Sequence, residues 1–215
     1  MSLTHRDLAD LVAALYDAPD SVPWLYRSNL DANVYMGIIR QGGAFIVATR
    51  GSFDFEDWLH DLRAKPTKPV GRPELQKVHA GFYGGTPEAW DIIAEHMDDE
   101  PVVFCGHSLG AARAVILAGH MLAVGFQPTF VCRWGEPAAL FPEGNEFIKD
   151  VPGVSYCNGV GPFVDAVTQS TLPFGYRHSV SLTNVSASPG KVSMLDPFAL
   201  HHFALYQSVT PTMEI

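Results

Sequence analysis

Apolar residues recur along this chain with two different periods. Leu8, Leu11, Val12, Leu15 and Tyr16 follow helical spacing, so the chain opens with an amphipathic helix. Two apolar runs, Val34 to Ile39 and Ala44 to Ala48, flank Gln41-Gly42-Gly43, a turn signal that predicts a β-hairpin. Phe55, Trp58, Leu59 and Leu62 share one side of a helical stretch over 53–62. Residues 64–73, rich in proline and basic side chains, read as an exposed loop. Thr86 is placed to cap a helix with Pro87 in its first turn, running to Met97. Pro101 to Cys105 predicts a compact buried strand, Gly110 to Val124 an alanine-rich helix, and Thr129 to Cys132 and Val154 to Cys157 further strands. A later strand is expected over Tyr176 to Leu182 and a last helix over His201 to Ser208. Alternation of strand and helix through the middle predicts an α/β class, with a mostly parallel sheet covered on both faces.

Composition narrows this picture. The 215 residues, with no internal repeat or linker, read as one domain over 1–215. Hydrophobic residues make up 47% and charged residues 17%, enough to build a core and too little charge for a disordered chain. With 14 basic and 23 acidic residues the net charge is −9, which disfavours nucleic acid as a partner. Cys105, Cys132 and Cys157 each sit in a strand-like run and read as buried thiols. The sequence shows no transmembrane run and no export signal at its start, so a cytoplasmic location is expected. Nothing in the pattern suggests a metal or an organic cofactor.

The strongest chemical signal is Gly106-His107-Ser108-Leu109-Gly110, between a buried-strand run and an alanine-rich helix. That context predicts the nucleophile elbow of an α/β-hydrolase fold, a sharp strand-to-helix turn that exposes Ser108 at the sheet's end. Close backbone approach requires the two glycines, and the helix N-terminus supplies free N–H groups where an oxyanion would form. His107 points off the opposite side of the turn and reads as packing or support. A serine nucleophile needs a base and an acid that orients it, arriving in the chain order serine, acid, histidine. Asp150, Asp165 and Asp196 are the downstream aspartates, and His120, His178, His201 and His202 the downstream histidines. His120 lies in the helix after Ser108 and turns away. His201 and His202 come late enough to return to the sheet.

Several stretches together resemble the class 3 lipase family, from about Phe45 to Tyr206. They are Phe45 to Ser52 with its Arg50-Gly51-Ser52 ending, Asp57-Trp58-Leu59-His60-Asp61-Leu62, His79-Ala80-Gly81-Phe82, the Ser108 elbow, and Trp134-Gly135-Glu136-Pro137 with Gly144-Asn145-Glu146-Phe147. The resemblance implies that N–H groups of Ser52 and Leu109 form an oxyanion hole. It also implies that 53–62 is a lid helix able to touch a lipid interface transiently. Tyr156-Cys157-Asn158 matches the segment before the family's acid, but Val160 to Val164 then intervene. Read as an insertion, they leave Asp165 as the acid; the competing alignment puts Gly161 there and turns to Asp196. His201, five residues before Tyr206, is favoured as base over His202.

The resulting expectation is a carboxylic-ester hydrolase using Ser108, His201 and Asp165, acting on neutral lipid or short acyl esters. A phospholipase A1 or feruloyl-type esterase would use the same machinery. A retained scaffold that binds a hydrophobic ligand or a partner without turnover is the alternative from another class.

Overall fold

The computed structural model describes residues 2–28, 34–51, 65–160, 163–185 and 199–215. Helix α1 (His5–Asp17) starts at a capping box: Thr4 Oγ1 accepts from the Asp7 N–H at 3.2 Å, and the Asp7 carboxylate accepts from the Thr4 N–H at 2.8 Å. Its stripe of Leu8, Leu11, Val12 and Leu15 is buried as the periodicity requires. Each such side chain contributes about 1.5–3 kcal/mol of transfer free energy.

Strands β1 (Tyr26–Arg27), β2 (Met36–Gln41) and β3 (Ala44–Thr49) form an antiparallel ribbon, with Gly42 and Gly43 at positive φ in the hairpin turn. A short ladder of β4 (Pro66–Thr67) and β5 (Val78–His79) follows, then α2 (Ala80–Tyr83) and α3 (Thr86–His96). Thr86 turns out to be the first residue of α3. Gly85, in left-handed conformation, takes the cap, and the Thr86 hydroxyl donates back to the Tyr83 carbonyl at 2.8 Å.

Strands β6 (Val102–His107), β7 (Phe130–Trp134), β8 (Gly153–Val160) and β10 (Leu182–Val185) continue from β3 in parallel. Among the described residues the sheet runs β1-β2-β3-β6-β7-β8-β10, with β9 (Phe163–Val164) paired antiparallel to β8. Helices α4 (Leu109–Ala123), α5 (Pro142–Ile148), α6 (Ala166–Gln169) and α7 (Phe203–Val209) complete the chain. This is a mostly parallel α/β-hydrolase sheet. The strand expected over Tyr176 to Leu182 is displaced. Tyr176 is instead a buried core ring against Phe141 and His79, Arg177 makes one bridge to Leu140, and pairing with β8 begins only at Leu182.

Two cores sit on opposite faces of the sheet. Phe45, Val47, Val102 and Phe104 point to one with α3 and α4; Ile46, Ala48, Val103 and Cys105 point to the other with α1 and α7. That two-sided burial is why β3 and β6 read as unbroken apolar runs. Helix α4 is buried around almost its whole circumference, which explains its run of alanines: small side chains let the neighbouring backbones approach. The closest approach is at Gly110, where a Cβ would stand 2.5 Å from the Thr49 carbonyl oxygen and 2.7 Å from the Arg50 carbonyl carbon. No described helix is long and apolar enough to cross a membrane.

Gly110→Ala therefore forces β3 and α4 apart and should destabilise the fold by about 1–3 kcal/mol. A lowered urea midpoint with unchanged slope is the expected result; an unchanged midpoint would contradict the close approach.

Candidate active site

The C-terminal ends of β3, β6, β7 and β8 meet at one edge of the sheet, where α/β folds bind their ligands. Ser108 stands between β6 and α4 at φ 58° and ψ −129°, a backbone conformation that non-glycine residues rarely hold. Its N–H donates to the Trp134 carbonyl at 2.9 Å, tying the turn to β7. Leu109 follows as the first residue of α4. The first N–H groups of a helix have no intrahelical acceptor, so this turn offers donors and a positive dipole end beside Ser108. Gly51 lies against the same turn: a Cβ there would stand 2.8 Å from Ser108 Cβ.

Asp165 reaches this edge through the extra residues of the 160–164 segment. Strand β8 folds back on β9, with Gly159 opposite Val164, and the Asp165 N–H donates to the Asn158 carbonyl at 2.9 Å. The antiparallel pairing of β9 with β8 thus sets Asp165 beside Asn158. Asp165 is fully buried. Its carboxylate accepts from the Val167 N–H at 2.9 Å, from the Tyr206 hydroxyl at 2.5 Å and from His201 Nδ1 at 2.7 Å. Because a carboxylate accepts, Nδ1 of His201 carries the hydrogen, and Nε2 is left as the basic nitrogen.

His201 closes a short 3₁₀ turn before α7, and its ring stacks on that of His107 with centroids 4.7 Å apart. Its loop is pinned twice: Asn158 Nδ2 donates to the Leu200 carbonyl at 3.1 Å and His107 Nε2 to the His201 carbonyl at 2.9 Å. His202 is exposed at the N-terminus of α7 and makes no part of this pairing. Gly135, at φ 58°, leaves room for the acid and the base; a Cβ there would stand 2.8 Å from the His201 ring and 3.0 Å from Asp165 Oδ2. Ser52, the stretch 53–62 expected to be a helix, and Asp196 lie outside the described residues.

Other buried polar groups support the edge. Glu136 follows Gly135 and accepts from the Ser155 hydroxyl at 2.9 Å, with Arg133 at 3.7 Å and His178 at 3.9 Å. Burial alone would raise its pKa, but Arg133, His178 and Ser155 outweigh that and hold it below the ordinary glutamate range. His178 donates through Nε2 to the Thr168 carbonyl at 2.8 Å, in the helix after Asp165. Burial lowers the His178 pKa, yet Glu136 and the Thr168 carbonyl raise it further, and the net shift is upward. His79 and His120 are packed in the core, where burial pulls each down to about 4. Burial, with the neighbouring His201, holds His107 well below the usual value. Tyr206 and the Arg133–Glu136–His178 group escaped the sequence reading. Tyr206 entered it only as a spacing marker; Glu136 appeared within the Trp134-Gly135-Glu136-Pro137 stretch and His178 as a downstream histidine, but nothing in the sequence joined them to Arg133.

Comparisons with known proteins bear on the fold that carries these residues. Residues 46–150 match the family model described as Lipase (class 3). No match is found among curated protein sequences. Among solved structures the chain is similar to a mutant form of MDLA from Penicillium cyclopium, with TM-score 0.66 and 18% identity over 89% of this chain and 82% of that one. It is also similar to a lipase from Rhizopus microsporus var. chinensis, with TM-score 0.65 and 19% identity over 84% and 73% of the two chains. A mono- and diacylglycerol lipase from Aspergillus oryzae gives TM-score 0.60 and 20% identity over 78% of this chain and 64% of its own, so this chain spans less than two thirds of that protein. At such identities the likeness is one of fold.

The buried histidines predict an acid-sensitive fold. His5, His79, His107 and His120 have folded pKa values below the 6.5 of a free imidazole. Their contribution is complete above that pH and is lost as the pH falls toward their folded values. His178 is shifted upward and contributes in the opposite sense, adding stability below 6.5 and losing it as the pH rises through its folded value. Four against one, the urea midpoint should fall between pH 6.5 and 5, and less steeply in His120→Gln. A midpoint that rises across that window would contradict the neutral burial of these rings.

Proposed function

We propose that this chain is a lipase-type ester hydrolase in which Ser108, His201 and Asp165 perform the hydrolysis, a reading supported by the match of residues 46–150 to the class 3 lipase model and by the α/β-hydrolase fold. The observation that carries the proposal is the 2.7 Å hydrogen bond from His201 Nδ1 to the buried Asp165 carboxylate, on a ring stacked against the residue that precedes Ser108. That bond fixes the tautomer and leaves Nε2 to act as base.

In the proposed reaction Ser108 Oγ attacks the ester carbonyl carbon as His201 Nε2 takes its proton. The carbonyl oxygen becomes an oxyanion, held by the Leu109 N–H at the start of α4 and by the Ser52 N–H. Removing one such donor typically costs on the order of 100- to 1000-fold in turnover. The tetrahedral intermediate collapses, the C–O bond to the alcohol breaks, and His201 returns the proton to the leaving oxygen. Water then repeats the sequence on the acyl-enzyme, releasing the acid and restoring Ser108. Asp165 stays ionised and stabilises the imidazolium formed at each step. Neutral lipid or short acyl esters are the proposed substrates: they suit an apolar-cored chain of net charge −9, and the chemistry requires no cofactor.

Wild-type protein should react with a fluorophosphonate probe and hydrolyse p-nitrophenyl butyrate, and Ser108→Ala should do neither. Asp165→Asn should fold normally and lose about 10⁴-fold in kcat. A wild type that neither labels nor cleaves any p-nitrophenyl ester would sink the proposal.

A further inference from the structure

One phenol joins three parts of the proposed site. The Gly51 N–H donates to Tyr16 Oη at 2.7 Å, Tyr16 Oη lies 2.9 Å from His107 Nδ1, and His107 Nε2 lies 2.9 Å from the His201 carbonyl oxygen. Chemistry fixes the direction of every link. A backbone N–H only donates, so Tyr16 accepts from Gly51. A carbonyl only accepts, so His107 Nε2 carries a hydrogen. A neutral imidazole then has a lone pair at Nδ1, and the Tyr16 hydroxyl donates to it. Burial pushes the Tyr16 pKa far up, so the phenol keeps its proton, and His107 is held neutral. The Tyr16 ring is fixed in turn by stacking on Phe203, 5.9 Å between centroids, and by the Arg50 guanidinium 5.3 Å from its centroid.

Resting on the proposed reaction, we infer that Tyr16 and His107 are positioning residues that set the oxyanion strand end and the base loop relative to Ser108. Tyr16 comes from α1, outside the 46–150 segment. Its hydroxyl holds Gly51, the residue before the proposed donor Ser52. Through His107 it also holds the backbone of His201. Without that hydroxyl the Gly51 N–H and His107 Nδ1 both lose their partner in a buried setting, and the two halves of the site are no longer tied to each other. Linked hydrogen bonds of one polarity also strengthen one another in a low-dielectric interior. The effect should appear in the chemical step and leave binding of the ester alone.

The test is steady-state hydrolysis of p-nitrophenyl butyrate together with the rate of fluorophosphonate labelling. Tyr16→Phe should lose on the order of tenfold in kcat, short of the roughly 100-fold that a 1 Å misplacement can cost, with KM unchanged and labelling slowed in parallel. His107→Gln keeps one donor and one acceptor and should retain most of the activity; His107→Leu should fall as far as Tyr16→Phe. The double variant Tyr16→Phe/His107→Leu should be no slower than the slower single, because both break one chain. Asp10→Ala is the control. It removes the 2.9 Å bond from Gln207 that also joins α1 to α7, leaves the phenol in place, and should keep wild-type rates. The inference is overturned if Tyr16→Phe labels and turns over like wild type, if its loss is all in KM, or if Asp10→Ala loses as much. Should Tyr16→Phe fail to fold, equal rates for His107→Gln and His107→Leu would overturn it instead. A wild type that does not label at all refutes the hydrolase reading, a result distinct from these.

Discussion

The backbone of Ser108 sets the terms for everything around it. Holding a serine at φ 58° and ψ −129° costs on the order of 1–3 kcal/mol, and the flanking strand and helix must over-determine it. They do so by close packing. Thr49 Oγ1, at the end of β3, lies 2.9 Å from the Cys105 carbonyl and 2.8 Å from that of Gly110, sharing its one proton across the start and end of the turn. Gly110 lets β3 come near enough for that. The consequence is geometric: the end of β3, with Gly51 just beyond it, is held beside the turn.

Asp165 and His201, the proposed acid and base, are placed by different means. Neither belongs to β3 or β6; both are buried on connections beyond the C-terminal ends of the strands, where no ladder fixes the chain. Hydrogen bonds do the work instead. Asn158 anchors both sides: its carbonyl accepts from the Asp165 N–H, and its side chain donates to the Leu200 carbonyl. The Asn158 N–H also donates to the Tyr206 hydroxyl at 2.9 Å, and that hydroxyl in turn donates a hydrogen bond to Asp165. One asparagine and one tyrosine therefore fix a carboxylate that no strand holds directly.

Much of this was legible in the sequence. Continuous apolar runs gave β3 and β6 because those strands are buried on two faces, and the glycines around Ser108 marked a turn because no larger residue fits there. Helix α1 was legible from its stripe, yet that same stripe hid Tyr16: counted as one more apolar position, it spends its ring on packing and its hydroxyl on the site. The acid was ambiguous because a linear alignment has no means of showing that 160–164 close back on β8. The displaced edge strand has the same origin. Leu182 and Val185 are only partly buried while Thr183 and Asn184 are exposed, a weak alternation, whereas the better-looking Tyr176 belongs to the core on the other side of a loop. Periodicity reports burial, and the features it missed are those held by polar contacts between distant segments.

The central claim is that His201 shares a proton-bearing bond with Asp165 and that this bond orders the site. Low-field proton NMR observes such a proton directly, since a histidine Nδ1–H bonded to a buried carboxylate resonates well apart from the amide envelope. The account predicts one such resonance in the wild type, absent in His201→Ala and Asp165→Asn and retained in His202→Ala. A resonance that survives Asp165→Asn, or that disappears in His202→Ala instead, would contradict it.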